Sequence, residues 1–181
     1  IICGAQIEYF GTKSNKYVKL SFPTKDKILK EMLAFSTCFA HPTVMMRKDI
    51  IVKNKLQYDY DYKNAEDYCM WINMISLGKF ANLDEALVKY RISDAQVSQP
   101  YNLQTIKSVM ACRRKYLERY LSEDEIKDLF ESPIKVWTVK SIKQKISNPR
   151  VIEACYLSLE RYSLGSLLYY VFSADVFKLG F

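Results

Sequence analysis

Two adjacent carboxylates, Glu66 and Asp67, open the otherwise apolar stretch NAEDYCMWINMISLGKF. The dipole of a helix keeps a carboxylate in its first turn ionised, and an ionised carboxylate can take a proton from a substrate. Helix N-termini also lie at the mouths of clefts in α/β sheets, and Trp71 could wall such a cleft, although a tryptophan on a helix face is more often part of the core. The same placement suits a purely structural role, because acidic side chains stabilise a helix start by about 0.3–1 kcal/mol. The spacing alone leaves both interpretations open.

Histidine and cysteine limit the chemistry that the chain can perform. His41 is the single histidine, which excludes sites and mechanisms that need two. The five cysteines are widely spaced with no CxxC pair, so they predict neither a disulfide framework nor a zinc site, and they suit a reducing compartment. No apolar run approaches the length of a membrane span, and no signal peptide is recognisable.

The hydrophobic pattern predicts strands and helices first and helices last. Residues 1–10 alternate loosely, as in a strand, and residues 16–22 predict a second, edge-type strand. A helix is expected after Thr24 as its N-cap. Residues 43–46 indicate a short buried strand that runs into a helical turn at Lys48.

The helix of the carboxylate pair is expected to have Asn64 as its N-cap and to stop at Gly78. Residues 80–92 favour a strand pair, or a loop leading into a strand. After Pro100 the pattern is helical, with Ser122 and Glu125 as a capping box. One helix should bury an apolar face and keep its basic residues largely outside; we place on that face Leu103, Ile106, Met110 and Leu117, and outside it Lys107, Arg113, Arg114 and Lys115.

Several of these segments together resemble a known family. HPTVMMRK, the stretch from Asn64 to Ser93 and the VS that follows are similar to the C-terminal half of bacterial family 2 glycosyltransferases of the lipopolysaccharide and capsule type. The resemblance covers roughly residues 1–98. It implies an α/β fold, namely the C-terminal part of a GT-A (Rossmann-like) domain, with residues 99–181 as a helical C-terminal region. The N-terminal half of such a domain would lie upstream of Ile1.

The resemblance assigns roles to individual residues. Asp67 would be the catalytic base of an inverting sugar transfer, and Glu66 would bind acceptor hydroxyls or orient the loop. His41 would lie in a strand that faces the donor sugar or the acceptor, although a lone histidine beside proline also suits a structural role. The remaining candidates for substrate binding are Tyr68, Trp71 and Arg91, the last of which could bind a diphosphate or form a salt bridge.

The same resemblance implies a metal that this chain does not itself bind. The family binds Mn²⁺ or Mg²⁺ through an Asp-x-Asp motif, and hard cations prefer such oxygen ligands. Asp59 and Asp61 have that spelling but stand in the acceptor-side loop, so we interpret them as loop residues and expect the metal motif upstream. Ser93 stands where many relatives have a histidine, which puts a protein metal ligand there in doubt.

The partners implied are a nucleotide-sugar donor, most simply a UDP-sugar, and a saccharide or lipid-linked acceptor. We expect a cytoplasmic protein whose isolated chain binds donor weakly, with no nucleic acid as partner. The net charge of +7 and the basic, aromatic C-terminal region also suit an anionic membrane surface. One alternative is a noncatalytic basic module for nucleic acid or membrane. Another, a hydrolase with two carboxylates, is disfavoured because glycosidases need opposed carboxyl groups about 5–9 Å apart.

Overall fold

A four-stranded mixed sheet is the framework of the part of the chain that the computed structural model describes, residues 1–11, 14–92, 103–130 and 144–145. Its central strand pairs in parallel with the last strand, and along its other edge it pairs antiparallel with the two remaining strands. The strands are β1 (Ile2–Gly11), β2 (Ser14–Leu20), β3 (Met45–Met46) and β4 (Phe80–Ile92). The sheet with its helices confirms the predicted α/β class.

Five helices and two short 3-10 helices complete the described structure. The α-helices are α1 (Asp26–Met32), α2 (Lys48–Lys53), α3 (Glu66–Met74), α4 (Leu103–Leu117) and α5 (Glu123–Phe130). The 3-10 helices are His41–Thr43 and Tyr60–Tyr62. Among the described residues, no helix has both the length and the apolar character that crossing a bilayer requires.

The predicted strands and helices are largely confirmed, with two corrections in the strands. Residues 80–92 form one long strand rather than a strand pair. The predicted buried strand at residues 43–46 is wrong in extent and burial, because β3 has only two residues and Met45 is 77% exposed. β3 pairs with β1 at only two positions, so the neighbouring strand covers little of its surface.

Both predicted helix caps in the first half of the chain are wrong. The N-cap of α1 is Lys25 and that of α3 is Ala65, and neither makes a side-chain cap hydrogen bond. Asn64 instead adopts a positive φ of 65°, in the left-handed region that asparagine tolerates, and its side chain donates to Thr105 on α4 at 2.9 Å. Helix α3 ends at Met74, before Gly78.

The predicted apolar face of α4 is also partly wrong. Leu103 is 62% exposed, whereas Arg113, predicted to lie outside, is buried. Its guanidinium donates two hydrogen bonds to the carbonyl of Phe35, just beyond α1, at 2.8 and 2.5 Å. The capping box before α5 is confirmed, since Glu125 accepts from the Ser122 N–H at 2.7 Å and the Glu125 N–H approaches the Ser122 hydroxyl at 3.4 Å.

A single large core joins the sheet to the helices. It is built around Leu29 of α1, Leu33 just after that helix and most of α3, with contributions from the sheet, α4 and α5. Trp71 and Phe39 pack edge to face at its centre, with ring centroids 5.5 Å apart. The predicted helices of the C-terminal region at residues 131–143 and 146–181 lie outside the described residues, and the domain boundary near residue 98 stays a prediction.

Candidate active site

The carboxylate pair stands at the first two positions of α3, one position earlier than predicted. Glu66 turns back, and its Oε1 accepts the backbone N–H of Asn64 at 3.0 Å. Asp67 keeps one oxygen on the helix, since Oδ1 accepts the N–H of Tyr68 at 2.7 Å. Its other oxygen, Oδ2, is directed toward His41. The two carboxylates therefore have different surroundings. Among these contacts, only Asp67 faces a side chain from another element.

Asp67 has the electrostatic surroundings of a base. Its side chain is only 21% exposed, and burial raises the pKa of its carboxyl above the ordinary value. The charge of Glu66 acts in the same direction, whereas His41 and the Tyr68 N–H lower the pKa. A raised pKa strengthens a carboxylate as a proton acceptor, and the remaining exposure leaves it accessible to a substrate.

His41 is the residue that the fold brings to Asp67 from a distant part of the sequence. Its Nδ1 lies 3.9 Å from Asp67 Oδ2, which is within ion-pair range but too long for a direct hydrogen bond. Its Nε2 lies 3.0 Å from the hydroxyl of Tyr58. The imidazole also meets the ring of Trp71 edge to face, with centroids 5.8 Å apart. These contacts fix both the place and the tilt of the ring.

The backbone around His41 is anchored to the sheet by the threonine of the HPT turn. Thr43 Oγ1 donates to the carbonyl of Ala40 at 2.8 Å, which closes the turn, and accepts the N–H of Ala5 on β1 at 2.9 Å. Pro42 stands within the turn and has no N–H that would need a partner. The HPT sequence therefore forms a compact support that presents the half-exposed His41 side chain beside α3.

Tyr68 and Trp71 lie in the core rather than on an open surface. Tyr68 is 2% exposed, and its hydroxyl donates to the carbonyl of Leu33 at 2.5 Å. Trp71 is fully buried, and its indole N–H has no hydrogen-bond partner among the described residues. Of the two positions considered for Trp71, the structure shows the one in the core. Both side chains pack α3 onto the core, and the ring of Trp71 contacts the ring of His41.

The structure does not bring Arg91 to the carboxylate. Arg91 pairs in register with Phe10 near the end of β1, and its guanidinium carbon lies 5.5 Å from the centre of the Phe10 ring. The HPT turn is bonded to β1 at Ala5. The separation of five strand residues corresponds to roughly 16 Å along the sheet. Arg91 is exposed there. Because of this separation, the described structure does not place it in contact with Asp67.

Asp59 and Asp61 belong to a local turn, as interpreted from the sequence. Asp59 is the N-cap of the Tyr60–Tyr62 3-10 helix, and its Oδ1 accepts the Asp61 N–H at 3.0 Å. Within the described ranges, histidine, cysteine, aspartate and glutamate side chains form no group of three or more that could hold a metal.

Tyr58 is the site residue that the sequence reasoning missed. It lies in the polar-aromatic segment before the 3-10 helix, where no hydrophobic period directs attention to it. The structure places its ring against His41 in a tilted arrangement, with centroids 5.6 Å apart and an angle of 57° between the ring planes. Burial, and then the negative charge of Asp67, raise the pKa of its hydroxyl. The only signal in the sequence was an aromatic side chain close to the carboxylate pair.

Comparisons with known proteins agree with the family suggested by the motifs. The chain is 29% identical over 153 residues to an uncharacterized glycosyltransferase of Haemophilus influenzae, which covers 82% of this chain and 47% of the relative. It is 34% identical over 121 residues to the O-antigen biosynthesis glycosyltransferase WbnJ of Escherichia coli, which covers 63% of this chain and 43% of the relative. The chain thus spans about half the length of these curated relatives.

Two further comparisons returned nothing: no family model matches the chain, and no solved structure matches it. The curated relatives therefore carry the assignment by themselves. Both bear the name glycosyltransferase, and the match to the first extends over most of the chain. By sequence, then, this chain is similar to bacterial proteins named as glycosyltransferases, the class of enzyme that its motifs resemble.

Proposed function

We propose that this chain is the acceptor-side part of an inverting glycosyltransferase in which Asp67 is the catalytic base. The observation that carries the proposal is the position of Asp67: a largely buried carboxylate at the start of α3, with one oxygen bonded to the helix and the other directed at His41. The relatives named as glycosyltransferases supply the class of reaction. The family 2 assignment and the GT-A fold belong to the same proposal.

The reaction is a single displacement at the anomeric carbon of a nucleotide sugar. An acceptor hydroxyl oxygen forms the new bond to that carbon, and the bond from the carbon to the diphosphate oxygen breaks with inversion. The nucleoside diphosphate leaves with the bonding electrons, and the hydroxyl proton passes to Asp67. We assign the proton to Oδ2, because Oδ1 already accepts from the Tyr68 N–H. The hydroxyl becomes acidic as it is glycosylated, so a carboxylate suffices as a late proton acceptor.

Glu66 is proposed to support this base rather than to share the proton. Its carboxylate accepts the N–H of Asn64 and so shapes the entry into α3. Asn64 in turn donates to Thr105, which ties the same turn to α4. Glu66 can therefore orient the loop that leads to Asp67, and its second oxygen can bind an acceptor hydroxyl.

The donor side of the site is proposed to lie in the rest of a longer enzyme. The curated relatives are about twice as long as the stretch matched here. We propose a UDP-sugar as donor and an Asp-x-Asp motif outside this chain as the ligand of Mn²⁺ or Mg²⁺. The cation would neutralise the charge of the diphosphate. Arg91 remains a candidate for diphosphate binding away from Asp67.

The acceptor is proposed to be a saccharide, free or lipid-linked, of a bacterial surface polysaccharide, because one relative is named for O-antigen biosynthesis. We place the enzyme in the cytoplasm, peripheral to the inner face of the membrane. The described cysteines are free thiols, as in a reducing compartment. Arg113 is buried, so its charge does not belong to the exposed basic surface of α4. This weakens the alternative of a noncatalytic basic module.

The stereochemistry of the product tests this function. The full-length protein would be incubated with a panel of α-linked UDP-sugars, Mn²⁺ and saccharide or lipid-linked acceptors, and the anomeric coupling of the product read by NMR. We expect a β-linked product and free UDP. An α-linked product would contradict the single displacement. The panel would also include sugars linked to nucleotides other than UDP. If the folded protein turned over none of these donors, the transferase assignment itself would be contradicted.

A further inference from the structure

The hydroxyl of Tyr58, the ring of His41 and the carboxylate of Asp67 form one row. Tyr58 lies 3.0 Å from Nε2 of the imidazole, and Asp67 Oδ2 lies 3.9 Å from Nδ1 on the other side of the ring. Three separate elements supply them: the segment before the Tyr60–Tyr62 3-10 helix, the HPT turn and the start of α3. The fold thus links an exposed tyrosine to the proposed base through a single ring.

The charge of Asp67 and the hydroxyl of Tyr58 favour the same direction for the hydrogen bonds around the His41 ring. A neutral imidazole carries one proton, and the geometry at Tyr58 permits its hydroxyl either to donate or to accept. The carboxylate opposite Nδ1 favours an N–H on that side, because a lone pair there would face a negative charge. Nε2 is then the acceptor, and the Tyr58 hydroxyl is its donor. Burial and the charge of Asp67 keep this hydroxyl protonated by raising its pKa.

We propose that Tyr58 is a positioning residue of the site: its hydroxyl donates to His41 Nε2 and thereby directs the Nδ1 proton of His41 toward Asp67. This inference rests on the proposed role of Asp67 as base. The directed N–H stabilises the ionised carboxylate and offsets part of the cost of its burial. Trp71 also packs against the ring and supplies no competing proton acceptor, because its indole N–H can only donate.

Other titratable groups around Asp67 do not provide this stabilisation. Glu66 on the same helix raises the pKa of Asp67 by its negative charge. Cys38, which follows α1, and Cys112 on α4 also interact electrostatically with Asp67. Burial chiefly raises the pKa of Cys38, the hydrogen bond with Cys69 chiefly raises that of Cys112, and the charge of Asp67 adds to both. A protonated thiol contributes little charge. Of the side chains acting on Asp67, His41 is the one that lowers its pKa, and Tyr58 is the hydroxyl bonded to that ring.

The histidine tautomer tests the proposal without any turnover. His41 is the single histidine of the chain, so long-range ¹H–¹⁵N correlations of the ¹⁵N-histidine-labelled 181-residue protein report on it alone. At alkaline pH, where the ring is neutral, we expect the Nδ1–H tautomer instead of the Nε2–H form that free histidine prefers. Tyr58→Phe should shift the population toward Nε2–H. Tyr60→Phe, in the same segment and 87% exposed, should leave it unchanged. An Nε2–H ring in the wild type, or an unchanged tautomer in Tyr58→Phe, would overturn the inference.

A kinetic measurement tests the consequence for catalysis. In the full-length enzyme, Tyr58→Phe should lower kcat/KM roughly 3- to 10-fold, as expected for loss of one hydrogen bond, and move the acid limb of its pH profile to higher pH. Tyr60→Phe should match the wild type in both respects. An unmoved acid limb would overturn the positioning role even if kcat/KM fell. Because the tautomer does not depend on activity, the two measurements separate a failure of this inference from a failure of the proposed function.

Discussion

His41 Nδ1 lies 3.9 Å from Asp67 Oδ2, and this contact joins the HPT turn to the first turn of α3. The turn is anchored to β1 through Thr43, and α3 is anchored through Tyr68 to the end of α1. Neither side chain can therefore move far from the other without breaking a buried hydrogen bond. Asp67 is thus held in a place where burial raises its pKa, and the His41 imidazole and the Tyr68 N–H oppose that effect.

Replacing Asp67 should stabilise the fold at neutral pH. Asp67 has a folded pKa above its unfolded value of 3.8, so its ionisation costs stability once the pH exceeds that raised pKa, and the cost disappears below about pH 4. Asparagine carries no charge and avoids this cost. We expect Asp67→Asn to unfold at a higher urea concentration than the wild type at neutral pH, with the difference shrinking as the pH approaches 4. A variant less stable than the wild type at neutral pH would contradict the raised pKa.

Asp26 should show the opposite dependence on pH. Burial raises its pKa, but the N–H of Phe80 at 2.7 Å and Lys30 at 3.1 Å outweigh that effect, so the net pKa is lowered. Its ionised form therefore contributes stability above pH 3.8, and this contribution is lost as the pH falls through the lowered pKa. Asp26→Asn should cost about 1 kcal/mol at neutral pH and little in acid. Urea titrations at both pH values would show it, and a cost that persists in acid would refute the ionic explanation.

The two neighbouring arginines of α4 should differ sharply when truncated. Arg113 is buried and donates two hydrogen bonds to the Phe35 carbonyl, whereas Arg114 is more exposed and pairs with Glu118 at 3.4 Å. Arg113→Ala leaves a partly buried carbonyl without these donors and should cost about 1–3 kcal/mol. Arg114→Ala should change stability by less than about 0.5 kcal/mol. Guanidinium unfolding of both variants measures the contrast, and equal effects would show that the buried contact is not important.

Gly4 is expected to tolerate no side chain. A Cβ added there would collide with Asn82 Oδ1 and come within 2.7 Å of Phe39 Cδ1. The Asn82 amide is fixed by hydrogen bonds to the carbonyls of Pro23 and Cys38, so it cannot move aside cheaply. Gly4→Ala should destabilise the protein by about 1–3 kcal/mol in chemical denaturation. Ala81→Ser, on an exposed position of β4, is the control, and a Gly4→Ala variant as stable as this control would contradict the close approach.

Sequence periodicity predicted the order of the elements because each main strand and helix has its own apolar pattern. Periodicity did not predict burial or backbone conformation where these depend on a residue that is distant in the sequence. Arg113 is buried because the end of α1 presents a carbonyl to it, and no local pattern encodes that meeting. Asn64 looked like an N-cap, but its positive φ makes it part of the turn before the helix.

The candidate site was predictable to a similar extent. Asp67, Glu66 and His41 were identified from motifs, and the structure places Asp67 beside His41. Tyr58 could not be identified, because its role depends on how a segment without hydrophobic periodicity folds onto the HPT turn. The family resemblance makes Tyr68 and Trp71 candidates for substrate binding, but the structure places their side chains in the core.

The most direct test of the central claim compares Asp67→Asn with wild type in the full-length enzyme. Single-turnover transfer and UDP affinity would be measured for both, with Glu66→Gln as the neighbouring control and circular dichroism to verify folding. We predict that Asp67→Asn binds UDP normally and loses about 10²–10⁴-fold in the rate of transfer, whereas Glu66→Gln loses much less. An Asp67→Asn enzyme that keeps most of its transfer rate would show that the carboxylate only begins a helix.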